Sequence, residues 1–263
     1  MEWLAYLGIG ALVGFAAGLL GIGGGVVMVP LLVLVFNAHG ISAQHVLHLA
    51  LGTALAAMTF TSVSSMYAHS AHGSVDWKVA RAMAPGMLVG SFVAALVAGL
   101  IPTRPLALVF TLFVFYAATS ILLDLKPAGT RELPGTAGIF GAGAAIGAIS
   151  SLLAAGGAFM TIPFLAWCGV PLRRAIGTAA ANGLPIAIAG TAGYVIQGWT
   201  APSVPAWSVG YVYLPALALV VITSMTAAPL GARLAHRLPV KRLRTIFALL
   251  LYVFAGRMLA GLW

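Results

Sequence analysis

The sequence predicts an all-α, polytopic integral membrane protein made of two inverted repeats of about five segments each. Three observations carry that expectation. Hydrophobic residues make up 62% of the 263-residue chain and charged residues 6%, far below the quarter or so that a water-exposed surface needs. The apolar runs have membrane-crossing lengths, and the same marks recur in order in the second half. Disorder, a soluble enzyme and a disulfide scaffold are excluded, the last because Cys168 is the only cysteine. The net charge of +9 comes from basic residues placed between apolar runs, where they read as orientation signals and not as a nucleic-acid surface.

The elements follow in order. Trp3–Leu20 is apolar and has no basic cluster ahead of it, so it reads as a retained helix rather than a cleaved signal. Gly24–Phe36 follows a glycine cluster and spans only about 20 Å as a helix, short of the roughly 30 Å of hydrocarbon. Gln44–Ala68, Lys78–Ile101 and Arg104–Leu123 are full crossings. The stretch Asp124–Pro134 is too short to fold alone and reads as the linker between domains 1–126 and 127–263. The second half offers Gly135–Leu153, the short Gly157–Trp167, then Leu172–Gln197, Val209–His236 and Val240–Leu262.

Placing Pro30 on Pro163 also places Gly14 on Gly147, Leu20 on Leu153, Gly23 on Gly156 and Gly24 on Gly157. Gly52-Thr53 then matches Gly177-Thr178, and Leu100-Ile101-Pro102 resembles Arg237-Leu238-Pro239. Duplicated halves are a transporter signature. The basic residues decide their relative direction. If the first pair of segments in each half is a glycine-broken hairpin, Lys78, Arg81, Lys126, Arg131, Arg173, Arg174, Arg233, Arg237, Lys241, Arg242 and Arg244 share one side, and only Arg104 and Arg257 lie on the other. That division satisfies the positive-inside rule, predicts inverted halves and puts both termini in the periplasm.

The glycine clusters suggest the chemistry. A helix that begins inside the membrane at Gly23-Gly24-Gly25 points unpaired amides and the positive end of its dipole outward, which suits a dehydrated anion. Gly156-Gly157 offers a second such start, so two ends are expected to face each other near the midplane. Small residues also serve helix packing; their pairing at equivalent positions, each before a short helix, favours the anion site. All four acids (Glu2, Asp76, Asp124, Glu132) fall at segment ends, so no carboxylate marks a cation route. Neutral donors are the candidate contacts: Thr53, Thr178 and Asn182 first, with Ser150, Ser151 and Thr161. A proton, if one is used, is expected at His69 or His72 beside Asp76. His39, His45 and His48 lack cysteine or acidic company, and Cys168 reads as an apolar filler, so neither a metal nor another cofactor is expected. No nucleophile or acid–base constellation suggests an enzyme.

Gly18–Gly25 (Gly-Leu-Leu-Gly-Ile-Gly-Gly-Gly) leading to Val29-Pro30, then Ala50-Leu51-Gly52-Thr53, Ser64-Ser65-Met66-Tyr67-Ala68-His69 and Gly73-Ser74-Val75-Asp76-Trp77, resemble the sulfite exporter TauE/SafE family of bacterial inner-membrane permeases. The second half keeps Gly156-Gly157, Pro163 and Gly177-Thr178 but carries Ala154-Ala155 and Ala158 in place of glycines. The resemblance implies export of a small sulfur-containing or organic oxyanion such as sulfite or sulfoacetate, here expected to proceed by alternating access. A dipole-selective anion channel is the alternative. The expected partners are the anion and membrane lipid, with no nucleic acid; the sequence leaves the oligomeric state open.

Overall fold

The computed structural model describes residues 2–20, 24–123, 132–202, 204–235 and 240–260. Among them are ten helices: α1 (Glu2–Leu20), α2 (Gly25–Ala38), α3 (Val46–Ala71), α4 (Trp77–Ala98), α5 (Thr103–Leu123), α6 (Thr136–Leu153), α7 (Ala158–Trp167), α8 (Leu172–Gly198), α9 (Leu214–Ala235) and α10 (Val240–Ala260). Five of them, α3, α4, α5, α6 and α8, are long and apolar enough to cross a membrane. The protein is an all-helical, multi-pass membrane protein.

One segment departs from expectation. Val209–Tyr213 is not the start of the ninth helix; Ser208–Val209 (β1) and Val212–Tyr213 (β2) pair as a small antiparallel hairpin ahead of α9. Gly210, at φ +57°, makes the tight turn, and its bare Cα lies against the Val195 carbonyl of α8, where any side chain would clash.

The first two helices form a hairpin. Tyr6 near the start of α1 and Phe36 near the end of α2 bring their rings to 6.3 Å, and both meet Tyr213 edge to face. The bundle end that holds α1's start and α2's end therefore also holds the starts of α3 and α9; it is called the first end below. At the second end α3 finishes and α4 and α8 begin, with Thr178 of α8 bonded to Asp76 ahead of α4.

Glycine contacts set the helix spacing and recur at fixed offsets. On α1, Gly10 and Gly14 lie against Val220 and Ser224 of α9; on α6, Gly143 and Gly147 lie against Met83 and Met87 of α4. The glycines correspond at an offset of 133 and their partners at 137. From the α4 side, Gly86 and Gly90 press on Phe140 and Ala144, so α4 and α6 run in the same direction. α3 and α8 run in opposite directions, Gly183 facing Ser62 and Gly190 facing Leu55. Small residues let these backbones approach in a medium that supplies no hydrophobic drive between helices.

A Cβ at Gly90 would stand 2.0 Å from the Ala144 carbonyl oxygen, whereas one at Gly141, on the same α6 helix, would meet nothing within 4 Å. Gly90→Ala is therefore expected to destabilise the protein by about 1–3 kcal/mol, and Gly141→Ala to leave it unchanged or slightly more stable. Thermal unfolding of the two purified variants in detergent checks this; equal melting temperatures would refute the packing account.

Candidate functional site

α2 and α7 both begin inside the bundle. The N-cap of α2 is Gly24, whose carbonyl accepts the amides of Val27 (3.2 Å) and Met28 (2.9 Å). The amides of Gly25 and Val26 precede the first intrahelical bond. Gly157 is the N-cap of α7 and accepts Thr161 N–H at 2.8 Å, so the amides of Ala158, Phe159 and Met160 are the corresponding orphans. Pro30 and Pro163 occupy the sixth position of each short helix.

Both caps open onto one cavity of about 330 Å³. Gly24, Gly156, Gly157 and Ala158 lie at its deep end with Met28 and Met58, and it extends past Thr61, Ser62, Ser65 and His69 of α3 toward the second end of the bundle, flanked by Ile176 and Ala179 of α8 and by Ser224 and Pro229 of α9. Among the described residues, no Lys, Arg, Asp or Glu lines it. A negative ligand here can meet only backbone amides, helix-dipole ends, hydroxyls and one imidazole. On the other side of the caps, Leu49, Leu51, Leu55 and Tyr194 are buried.

The structure brings together only part of the expected site. Gly24, Gly156 and Gly157 converge on the cavity, while Gly23 lies outside the described residues. Gly25 faces away from it, packed against the Ala154 carbonyl and the Met58 sulfur, where a Cβ has no room. Thr53, Thr178 and Asn182 are fully buried and do not line the cavity. Both threonine hydroxyls accept a backbone amide across the bundle: Tyr213 N–H donates to Thr53 Oγ1 at 3.0 Å, and Asp76 N–H donates to Thr178 Oγ1 at 3.0 Å. Tyr213 and Asp76 immediately precede α9 and α4 and are themselves 137 residues apart. The threonines thus pin two equivalent helix starts. Asn182 points its amide at the Met83 sulfur, 3.6 Å away. Ser150, Ser151 and Thr161 are buried without a hydrogen-bond partner among the described residues, and none of them reaches the cavity.

Of the three groups expected to handle a proton, His69 alone lines the cavity. The Ser74 hydroxyl donates to the His69 carbonyl at 2.9 Å, so its oxygen receives Nδ1–H of His69 at 3.1 Å, and Nε2 of that ring is left as the acceptor. His72 donates Nδ1–H to the Ala68 carbonyl at 2.7 Å on the exposed surface. Asp76 is committed to capping: Oδ1 accepts the amides of Lys78 and Val79 at the start of α4, both at 3.2 Å. Among the described residues no group of three or more His, Cys, Asp or Glu could hold a metal ion.

The hydroxyls of Thr61, Ser62 and Ser224 are lining residues that motif reading passes over. The signal was present, because Thr61, Ser65 and His69 recur every four residues and so share one face of α3. Ser224 carried no such signal; only the packing of α9 against α1 brings it to the cavity.

The family model described as Sulfite exporter TauE/SafE matches residues 6–258. A probable membrane transporter protein of Haemophilus influenzae is 36% identical over 252 residues, covering 95% of each chain. Similar proteins with the same description include one from Bacillus subtilis, 28% identical over 87% of this chain and 88% of its own, and one from Methanocaldococcus jannaschii, 27% identical over 95% and 93%. No solved structure matches.

The threonine pins predict a stability effect. Thr53→Val or Thr178→Val leaves a buried amide without an acceptor, a loss on the order of 1–3 kcal/mol, and Thr178→Ser is expected to restore most of it. Thermal unfolding of the three variants checks this; a silent Thr178→Val would refute the role.

Proposed function

This chain belongs to the sulfite exporter TauE/SafE family, and on that premise we propose that it exports a small sulfur-containing or organic oxyanion, such as sulfite or sulfoacetate, across the bacterial inner membrane by alternating access. One observation carries the proposal: two helix starts, capped by Gly24 and Gly157, open onto a single cavity whose lining, among the described residues, has no charged side chain apart from an imidazole that can gain one. An anion leaving water must replace its hydration, and amides at helix N-termini can do so without a fixed positive charge that would hold the anion too tightly to release.

On this reading the anionic group sits against Gly24, Gly156 and Gly157, and the rest of the molecule lies along the Thr61, Ser62 and Ser65 face of α3. His69 is the lining group able to exchange a proton with the substrate, its ring held by Ser74; His72 and Asp76 serve the helix ends. Because Leu51, Leu55 and Tyr194 are buried and none of them lines the cavity, the arrangement supports a carrier over a channel. The recurring contacts at offsets of 133 and 137, and the opposite directions of α3 and α8, support domains 1–126 and 127–263 as inverted halves. Alternating access then consists of exchanging which end of the bundle the cavity reaches.

Gly157 provides the cleaner test of the site. Its backbone is ordinary right-handed helix (φ −59°), and a Cβ would meet only the end of Ile186 at 3.1 Å before ordinary contacts, so Gly157→Ala should fold. Gly156, at φ +66°, would be strained by any side chain. In proteoliposomes loaded with labelled sulfite, thiosulfate, sulfoacetate or acetate, Gly157→Ala is expected to cut flux of the transported anion at least about tenfold, the equivalent of one lost charge-assisted hydrogen bond. Normal flux with well-folded protein would sink the site.

The orientation is tested separately. With Cys168 replaced, Arg174→Cys and Lys241→Cys are expected to react with an impermeant thiol reagent only from the cytoplasm, and Glu2→Cys only from the periplasm. Periplasmic labelling of Arg174→Cys would overturn the inverted arrangement.

A further inference from the structure

The cavity takes up only one part of the interface between α3 and α8. Where Ser62 of α3 faces Gly183 of α8, both residues line it; nearer the first end Leu55 faces Gly190 and Gly52 faces Tyr194, and none of these four does. Ala179, Gly183, Gly190 and Tyr194 stand on one face of α8, so the face that borders the cavity at Ala179 and Gly183 continues toward the first end as a buried seam. Polar groups without a bond are enclosed along it. A Cβ at Gly190 would stand 2.8 Å from Ser151 Oγ, and Ser150, Ser151, Thr161 and Tyr194, from α6, α7 and α8, are fully buried with no hydrogen-bond partner among the described residues. A hydroxyl enclosed in an apolar medium without a partner is costly, so four in one region call for a physical reason.

The correspondence between the halves supplies one. At the offset of 133 that sets Gly24 on Gly157, the cavity-lining Ala17 and Met28 fall on Ser150 and Thr161. At the offset of 125 that sets Thr53 on Thr178, the cavity-lining His69 falls on Tyr194, and Ser65 on Gly190, the neighbour of Ser151. Contacts follow the same offsets: Gly14 lies against Ser224, which lines the cavity, and Gly147 lies against Met87, which is buried. Positions that border the cavity toward the second end thus have enclosed counterparts toward the first, and three of those counterparts are hydroxyls without a bond. Thr111 of α5 is equally buried and unpartnered, but α5 contributes nothing to the lining. At the first end the Tyr211 amide donates to the Tyr194 carbonyl at 3.2 Å, which joins the seam to the hairpin ahead of α9.

We propose that Ser150, Ser151, Thr161 and Tyr194 are the oxyanion-binding wall of the same site when it opens to the first end, donating hydroxyls where the present cavity offers Thr61, Ser62, Ser65 and His69. The assignment rests on the alternating-access reading above and names the residues that take over the substrate. It also makes the two states chemically unlike. An imidazole, which can carry a proton near neutral pH, faces the second-end cavity; its counterpart is a phenol, which donates a hydrogen bond and stays neutral. The anion therefore exchanges a proton with the lining at one end only.

Two measurements on the full-length protein test this. The first, with Cys168 replaced, applies an impermeant thiol reagent to right-side-out and inverted membrane vesicles. Ser65→Cys, in the present cavity, is expected to react from one face. Ser150→Cys and Ser151→Cys are expected to react from the opposite face, and Thr111→Cys from neither, which separates opening of the seam from general breathing. If Ser150→Cys and Ser151→Cys stay silent, or react only from the face that labels Ser65→Cys, while labelled sulfite or sulfoacetate is still carried, the assignment is overturned. The second measurement reads the substrate. Thr161→Val keeps the side-chain shape, and because the lost hydroxyl has no partner in this structure, the variant is expected to melt no lower than the unmutated protein. Its KM for labelled sulfite or sulfoacetate is expected to rise at least about fivefold for entry from the first-end face and to stay within about twofold for entry from the other. An unchanged first-end KM, or a KM raised equally from both faces, would overturn the role of Thr161. Absence of flux of either anion in the unmutated protein, or a Ser65→Cys silent from both faces, would instead count against the carrier reading.

Discussion

A helix that stops inside a hydrocarbon layer leaves amides and carbonyls without water to satisfy them, each costing several kcal/mol, so such breaks survive only when protein encloses them. In this bundle two helices, α2 and α7, start in the interior, at Gly24 and Gly157. Much of the bundle can be read as their enclosure. α3 and α8, the longest helices, run beside the breaks in opposite directions; α3 is buried continuously from Val46 to Met58. α1 closes on α9, and α6 on α4, through glycine faces that allow backbone contact. Of the residues whose amides precede the first intrahelical bonds of α2 and α7, Ala158 lines the cavity, beside the caps Gly24 and Gly157.

The second half carries alanines where the first has glycines, and the backbone accommodates them unevenly. Ala154 ends α6 at φ +43°, a left-handed conformation that costs an L-residue roughly 1–2 kcal/mol. Its carbonyl touches Gly25, so this strained turn is also the point where the two broken helices meet. Gly156 remains glycine at φ +66°, where a second strained alanine would add to that cost. The two helix starts are therefore built alike at Gly24 and Gly157, and the second is approached through the left-handed Ala154 and Gly156.

The turns ahead of α4 and α9 show a division of labour between opposite ends. At the second end Ser74 holds His69 and Asp76 caps α4, with Thr178 fixing the turn. At the first end the hairpin presents Tyr211 to His45 and His48, with Thr53 fixing it. Gly52 and Gly177, each one residue before its threonine, let the Tyr211 and Ser74 backbones come close enough for these bonds. A hydroxyl that looked like a substrate donor in the sequence is thus spent on a backbone amide, a use that only a long-range contact can reveal.

Membrane class, the number of helices and the short second and seventh helices were legible in the sequence, because each follows from local quantities: run length against bilayer thickness and glycine before an apolar stretch. The glycine caps at Gly24 and Gly157 were legible for the same reason. The hairpin at Ser208–Tyr213 was not, since its apolar residues read equally as a helix start and its turn depends on Gly210 meeting α8. Nor could local pattern assign the threonines, Asn182, Ser224 or the surroundings of His48. A hydroxyl or imidazole has the same sequence signature whether it faces a cavity, a neighbouring carbonyl or another helix's amide. Tertiary packing alone chose among these, by bringing Tyr213 to Thr53 and the end of α4 to His48 across separations of 160 and about 50 residues, and in a medium without water a polar group keeps whichever partner the packing delivers.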